Sequence, residues 1–374
     1  MSLNHAIRIP VTLVTGFLGS GKTTLINAGL KSPELAKTVV VVNEFGEVGL
    51  DHQLYTSSND AVVVLENGCL CCTVKSDLIA TMNSLYHDRA RGDLPDFNNV
   101  VIETTGLAEP GPILQAFLSE PTLDALYRVV NVVTVVDAVN WEATAQKHDE
   151  ALKQVALADD LLISKLDLRD DDSYAKLSAQ LQAINPVARI AKAEFTVEAA
   201  APLLMHKGFD AADSMADPTE WLSIATYDAY VEKIAETDGV KDQDVPQHLA
   251  AKGIESFVLT RSNPLAREEL QFLLDGIGQN LGSSLLRVKG LVNILEEPGK
   301  PAVVQGVQHL LHNVTWLEKW PTTDERTRIV FITQGIARDS LKDMIELLDR
   351  MCKRTFEARE KARLARLAAE QKVA

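Results

Sequence analysis

Between Ile7 and about Ile190, short apolar β-branched runs alternate with longer stretches of mixed polarity. The runs Val11–Thr15, Thr38–Val42, Ala61–Leu65, Asn99–Ile102, Val129–Val136 and Asp160–Ser164 are nearly continuous in apolar residues. That is the pattern of strands buried on both faces of a parallel sheet. The intervening stretches Lys22–Leu30, Lys75–Arg91, Pro112–Leu118, Thr144–Ala158 and Ser173–Ile184 read as helices. Strands alternating with helices of this length predict βαβ units and an α/β domain with a mostly parallel sheet.

From Val197 to Lys252 the periodicity weakens, and Asp210–Asp217 and Thr237–Gln247 are polar enough to read as linker. Strand patterns return at Ile254–Thr260, Ser284–Leu295, Ala302–Gln308 and Arg328–Thr333, interrupted by helical patterns at Leu265–Leu274 and Ser340–Arg350. This order predicts a smaller α+β domain, with a ferredoxin-like arrangement as one candidate. The expected division is an α/β domain over 1–210, a linker over 211–252, the α+β domain over 253–352, and a basic helix or tail over 353–374. The tail reads as a solvated helix face.

Charge and cysteine usage narrow the function. Among 374 residues, 37 Lys+Arg stand against 52 Asp+Glu, a formal charge of −15. Nucleic-acid affinity is dominated by cationic contacts to phosphate, so no nucleic-acid partner is expected. A local phosphate site built from backbone amides needs almost no net charge. No apolar run approaches the roughly 18–20 residues of a membrane span, and the start of the chain lacks the apolar core of a signal peptide. Three of the four cysteines, Cys69, Cys71 and Cys72, crowd into four positions, and Cys352 stands apart. A secreted scaffold would spread its cysteines, so a cytoplasmic protein without a membrane partner is expected.

The chemistry begins at Gly16. Gly16, Phe17, Leu18, Gly19, Ser20, Gly21, Lys22 and Thr23 fit G-x-x-x-x-G-K-[ST], after an apolar strand and before a helix. The glycines let backbone N–H groups converge on phosphate, Lys22 reaches the β/γ-phosphates, and Thr23 offers a hydroxyl to Mg²⁺. This predicts a nucleoside-triphosphate site. Asn99–Glu103 is a second strand, ending in a carboxylate suited to the Mg²⁺ shell, and Gly106 can bring its N–H to the γ-phosphate. Ser164, Lys165, Leu166 and Asp167 resemble the guanine-reading N-K-x-D motif, with Asp167 accepting from guanine N1–H and its amino group. Ser164 replaces the usual Asn, which shortens or removes one contact at the other base edge. Leu107 stands where Ras-like GTPases carry a water-orienting glutamine, so slow intrinsic hydrolysis is expected.

Cys69, Cys71 and Cys72 follow a strand and precede a helix, close enough for three sulfurs to share one volume. Thiolates suit Zn²⁺ or Cu(I), and a helix N-terminus lowers their pKa. A fourth position is left for water, a partner's ligand or a carboxylate such as Glu44 or Glu47. Such an open site suits transfer better than permanent structure. Buried structural cysteines or a redox switch are the alternatives. His309 and His312 have ligand-like spacing but read better as core or surface residues.

Four motifs in order, GFLGSGKTTL, NEFGEVGLD, ENGCLCCTV and ETTGLAEP, together with SKLD and the later LLRVKGLVNI and VQGVQ, make the chain closely resemble the CobW-like family of P-loop GTPases from Ile9 to about Gly335. The resemblance implies a GTPase domain followed by a smaller α+β domain. It also implies a metallochaperone that delivers Zn²⁺, or aids Co²⁺ or Fe²⁺ insertion, under control of GTP binding and hydrolysis to GDP. By motif position, Gly19, Gly21, Lys22, Thr23 and Thr24 would hold phosphates and Mg²⁺. Glu44 would lie in a switch segment and Glu103 in the Mg²⁺ shell. Cys69, Cys71 and Cys72 would hold the metal, and Lys165 and Asp167 the guanine. The expected partner is a client metalloprotein, with a homo-oligomer also open. The His-rich loop of some members is absent, which argues against high-capacity metal storage. The competing readings are a nucleotide switch whose cysteines are structural, and a kinase or ligase acting on a small molecule.

Overall fold

The computed structural model describes residues 8–43, 61–65, 72–170, 172–205 and 253–354, the last stretch without 309, 312, 313, 338, 349, 352 and 353. Glu44, Glu47, Cys69, Cys71, Cys352, His309, His312, the 211–252 linker and nearly all of the 353–374 tail lie outside the described residues, and of Cys72 only the backbone is described. The chain divides into two compact units, Met1–Lys252 and Gly253–Ala374.

The first unit is built on seven parallel strands: β1 (Ile9–Thr15), β2 (Thr38–Asn43), β3 (Ala61–Leu65), β4 (Asn99–Thr104), β5 (Tyr127–Asp137), β6 (Asp160–Ser164) and β7 (Arg189–Lys192). Their order across the sheet is β3-β2-β4-β1-β5-β6-β7, and every pairing is parallel. The helices are α1 (Lys22–Gly29), α2 (Cys72–Arg91), α3 (Pro110–Ser119), α4 (Pro121–Leu126), α5 (Trp141–Lys147), α6 (Asp149–Leu157), α7 (Ser173–Ile184) and α8 (Val197–Leu204). With helices covering both faces, strands such as β4 are buried at all six positions, which is why they read as unbroken apolar runs. After β1 the chain first builds one side of the sheet and then crosses to the other. Sheets of this kind bind ligands at that reversal, beyond the carboxyl ends of the strands.

One helix pattern is corrected. Thr144–Ala158 is two helices, α5 and α6, separated at His148, whose backbone is extended at φ −125° and ψ 111°. Asp149 and Glu150 open α6, where carboxylates suit the positive end of the helix dipole. The break falls between turns of similar apolar spacing, so periodicity alone does not mark it. α4, β7 and α8 carry too little pattern to be read at all. α8 is short and alanine-rich, with Pro202 inside it, and forms because it can dock. Gly29 of α1 gives it room, since a Cβ there would lie 2.6 Å from Leu204 Cδ1. Ala200, Ala201 and Leu204 join Leu25, Ile26 and the valines of the sheet in one buried cluster.

The second unit is an antiparallel sheet of β8 (Ile254–Arg261), β9 (Leu285–Val292), β10 (Ala302–Val307), β11 (Leu310–Leu311), β12 (Thr315–Trp316) and β13 (Thr327–Gln334). The path is β11-β10-β9-β13-β8, with β12 pairing β10. α9 (Arg267–Leu281) and a final helix α10 over 339–348 pack Leu270, Leu273, Ile277, Leu341 and Ile345 against Val288, Ile329 and Phe331. The ferredoxin-like arrangement is modified. β13 does sit between β8 and β9, which splits that β-α-β unit. However, β10 extends the sheet beyond β9, and no strand follows α10 among the described residues. Among the described residues no helix is long and apolar enough to cross a membrane.

Candidate functional site

The carboxyl edge of the parallel sheet gathers the motifs. The glycine-rich loop leaves β1 at Thr15. Glu103 lies in β4 in register with Val14, and Asp137 ends β5 opposite Ser164 at the end of β6. Glu103, Asp137 and Ser164, which lie 88 to 149 positions beyond Thr15 in sequence, thus come to one edge because parallel strands all point the same way.

The loop geometry requires its glycines. Gly16 has φ +136°, and a Cβ on it would lie 2.3 Å from the Val135 carbonyl oxygen, so β5 leaves room for glycine alone. Gly21, at φ +108°, turns the chain into α1. Lys22, only 7% exposed, folds back so that Nζ donates to the Gly16 and Phe17 carbonyls at 2.9 and 3.1 Å. At the start of α1 the Thr23 hydroxyl donates to Glu103 Oε1 at 2.7 Å, and Glu103 is itself buried. Two hard oxygen donors therefore meet beside the loop. Ser20 is buried, and its Oγ has no hydrogen-bond partner among the described residues. Thr24 is exposed on the first turn of α1.

The S-K-x-D loop is tied to the glycine-rich loop differently from the sequence expectation. The Ser164 hydroxyl points inward and donates to the Ser20 carbonyl at 2.7 Å and to the Val136 carbonyl at 3.2 Å. It thereby fixes the two loops to each other and is 1% exposed. Lys165 sits at φ 58°, a left-handed conformation unusual for a residue with a side chain. That turn leaves Asp167 exposed in the Leu166–Leu168 turn.

Three residues escaped the sequence reading. Asp137 accepts from Lys165 Nζ at 2.6 Å, from Asn140 Nδ2 at 2.8 Å and from the Val139 N–H at 2.8 Å. Burial pushes its carboxyl up, but Lys165, Asn140 and the Val139 N–H together hold it below the usual carboxylate value. The signal was present as an acid closing the Val129–Val136 run. Gln154 and Lys153 of α6 gave no signal, because nothing in sequence ties them to Gly106. Gln154 Nε2 donates to the Gly106 and Ala108 carbonyls at 3.1 and 3.0 Å, and Lys153 pairs with Glu109 at 2.7 Å. Leu107, between those carbonyls, is 48% exposed.

This glycine-cradled phosphate loop, with its lysine, its Thr–Glu oxygen pair and an S-K-x-D loop roped to it, is that of a P-loop GTPase. Residues 10–192 match the profile of the CobW/HypB/UreG nucleotide-binding domain, and residues 254–348 match the cobalamin synthesis protein CobW C-terminal domain. The chain belongs to that family. It is 31% identical over 339 residues to the zinc chaperone YjiA of Escherichia coli (strain K12), covering 89% of this chain and 96% of that protein. It is 35% identical over 212 residues to the zinc chaperone CobW of Pseudomonas aeruginosa, covering 48% of this chain and 55% of that one. In three dimensions it is similar to the crystal structure of Zn(II)-bound YjiA GTPase from E. coli, with a TM-score of 0.65, 25% identity and coverage of 91% and 99%. A variant of that protein with a glutamate and two cysteines replaced by alanine, also Zn(II)-bound, gives a TM-score of 0.63 at 26% identity, with the same coverage.

Proposed function

We propose that the protein is a GTP-dependent metallochaperone. It binds Zn²⁺ or a similar transition metal at Cys69, Cys71 and Cys72 and passes it to a client metalloprotein, and nucleotide state sets the affinity for the metal. The observation that carries this reading is topological. β3 ends at Leu65 and α2 begins at Cys72, so the stretch bearing the cysteines runs from a strand of the sheet that carries the phosphate loop to the start of α2. β3 pairs with β2, and β2 with β4, the strand that holds Glu103. A change at the nucleotide has only two strands to cross.

The donor set suits a magnesium nucleotide. Thr23 Oγ1 and Glu103 Oε1 are oxygen donors already 2.7 Å apart, the chemistry Mg²⁺ prefers. Bound there, Mg²⁺ would neutralise charge on the β- and γ-phosphates. Lys22 supplies the ammonium for the same oxygens, Gly106 an N–H toward the γ-phosphate, and Asp167 the acceptor for guanine. Leu107 offers no hydrogen bond to the attacking water, so turnover without a partner or metal is slow. Cys69, Cys71 and Cys72 give three soft ligands and leave a tetrahedral ion one position open for exchange. Glu44 and Glu47, in the segment after β2, are the candidates for that fourth place. GTP and metal then influence each other reciprocally.

The test is metal analysis of the full chain purified under reducing conditions and loaded with Zn²⁺. Since the YjiA variant without two cysteines is itself Zn(II)-bound, retention of zinc alone does not discriminate, and exchange does. One equivalent of zinc per chain that moves to a chelator faster in one nucleotide state is expected. No stoichiometric zinc, or zinc that never exchanges, contradicts the reading and favours a nucleotide switch with structural cysteines.

A further inference from the structure

The Thr105–Ala108 turn lies directly against the phosphate loop. A Cβ on Gly106 would fall 2.3 Å from the Leu18 backbone nitrogen, so the turn and the loop share one van der Waals surface. The turn is closed on itself by the Ala108 N–H donating to the Thr105 carbonyl at 3.1 Å. It is held from behind by α6. Gln154, 1% exposed, gives both protons of its amide to this turn, one to the Gly106 carbonyl at 3.1 Å and one to the Ala108 carbonyl at 3.0 Å. Lys153, the neighbouring residue of α6, pairs with Glu109 at 2.7 Å. His148, at the head of α6, lays its ring on Phe17 of the phosphate loop, with centroids 4.7 Å apart. One short helix therefore touches the phosphate loop at its start and the γ-phosphate turn through its middle.

We propose that Gln154 is a positioning residue for GTP turnover. It fixes the two carbonyls that flank Leu107 and so holds the Gly106 N–H where the terminal phosphate meets it. The inference rests on the GTPase reading and adds a residue to it. A buried amide with both donors on one turn leaves that turn little freedom. Pre-set geometry of this kind acts on the chemical step, because a donor aimed at developing charge needs no reorganisation during reaction. GDP lacks the γ-phosphate and gains little from the turn, so the effect is confined to GTP.

The experiment compares wild type, Gln154→Ala and Gln154→Glu in the full chain, measuring kcat and KM for GTP and the affinity for GDP. Glu keeps the volume of Gln and removes the donors when ionised, which separates loss of the hydrogen bonds from loss of packing if the Ala variant folds poorly. We expect kcat to fall about tenfold or more in both variants, with GDP affinity within about twofold of wild type. The Glu variant should partly recover kcat as pH falls and its carboxyl gains a proton to donate. Wild-type kcat in both variants overturns the proposal, as does a parallel loss of kcat and GDP affinity. A wild type that does not hydrolyse GTP overturns the GTPase reading itself, and the proposal with it.

Discussion

In the proposed function, Lys22 is the side chain on which turnover depends most. Its ammonium is buried and rests on the carbonyl oxygens of Gly16 and Phe17, the two residues that open the phosphate loop. A charge so held lies at the loop that takes the phosphates and acts in a partly desolvated setting, where it is worth more than in water. Lys22→Ala should lower GTP turnover by about 10²–10³-fold, read as phosphate release at saturating GTP. Turnover within a few-fold of wild type would show that the loop amides suffice. Gly16 was legible for a different reason. The spacing of the motif predicted a tight turn, and the Val135 carbonyl 2.3 Å from a would-be Cβ shows what the turn avoids. Ser164 was legible only in part. Its position in S-K-x-D was clear, but a hydroxyl is short and compact, and the structure uses it to bond Ser20 and Val136. Sequence alone cannot tell a base contact from a loop-to-loop tie.

At the scale of elements, strand ends do the organising. Asp137 at the end of β5 and Lys165 just beyond β6 form a pair that locks the S-K-x-D loop to the neighbouring strand. Burial raises the Asp137 carboxyl, and its donors outweigh burial and hold it below its ordinary value. A carboxyl depressed in the folded state stabilises above its unfolded pKa, near 4, and loses that contribution as pH falls through the lower folded value. Thermal unfolding of wild type and Asp137→Asn across pH should show a constant gap from neutral pH to about 5 that closes below about 4. A gap that does not change with acid would mean that Lys165 and the other donors do no more than offset burial. The strands themselves were plain in the sequence, since burial on both faces leaves an unbroken apolar run. α8 was not, because a helix of eight residues is marginal by itself even when alanine-rich, and Ala200, Ala201 and Leu204 hold it by docking beside Gly29. The break at His148 was hidden for a related reason. Both α5 and α6 bury apolar residues, and only the extended backbone between them separates the helices.

For the whole molecule, two compact units divide the chain, and the motifs that carry nucleotide chemistry all fall in the first. The segment with Cys69, Cys71 and Cys72 leaves that same sheet between β3 and α2, and this placement supports the proposed coupling of metal to nucleotide. The central claim is tested most directly by competing the full chain and its Cys69→Ser, Cys71→Ser, Cys72→Ser triple variant for Zn²⁺ against a chelator of known affinity, with and without GTP. Serine hydroxyls stay protonated and bind soft metals poorly, so the variant should lose tight Zn²⁺ binding while keeping its nucleotide affinity. In the wild type, GTP should change Zn²⁺ affinity, and Zn²⁺ should change GTP affinity by the same factor. Equal Zn²⁺ affinity in the two proteins, or tight binding in the wild type that ignores GTP, would contradict the account.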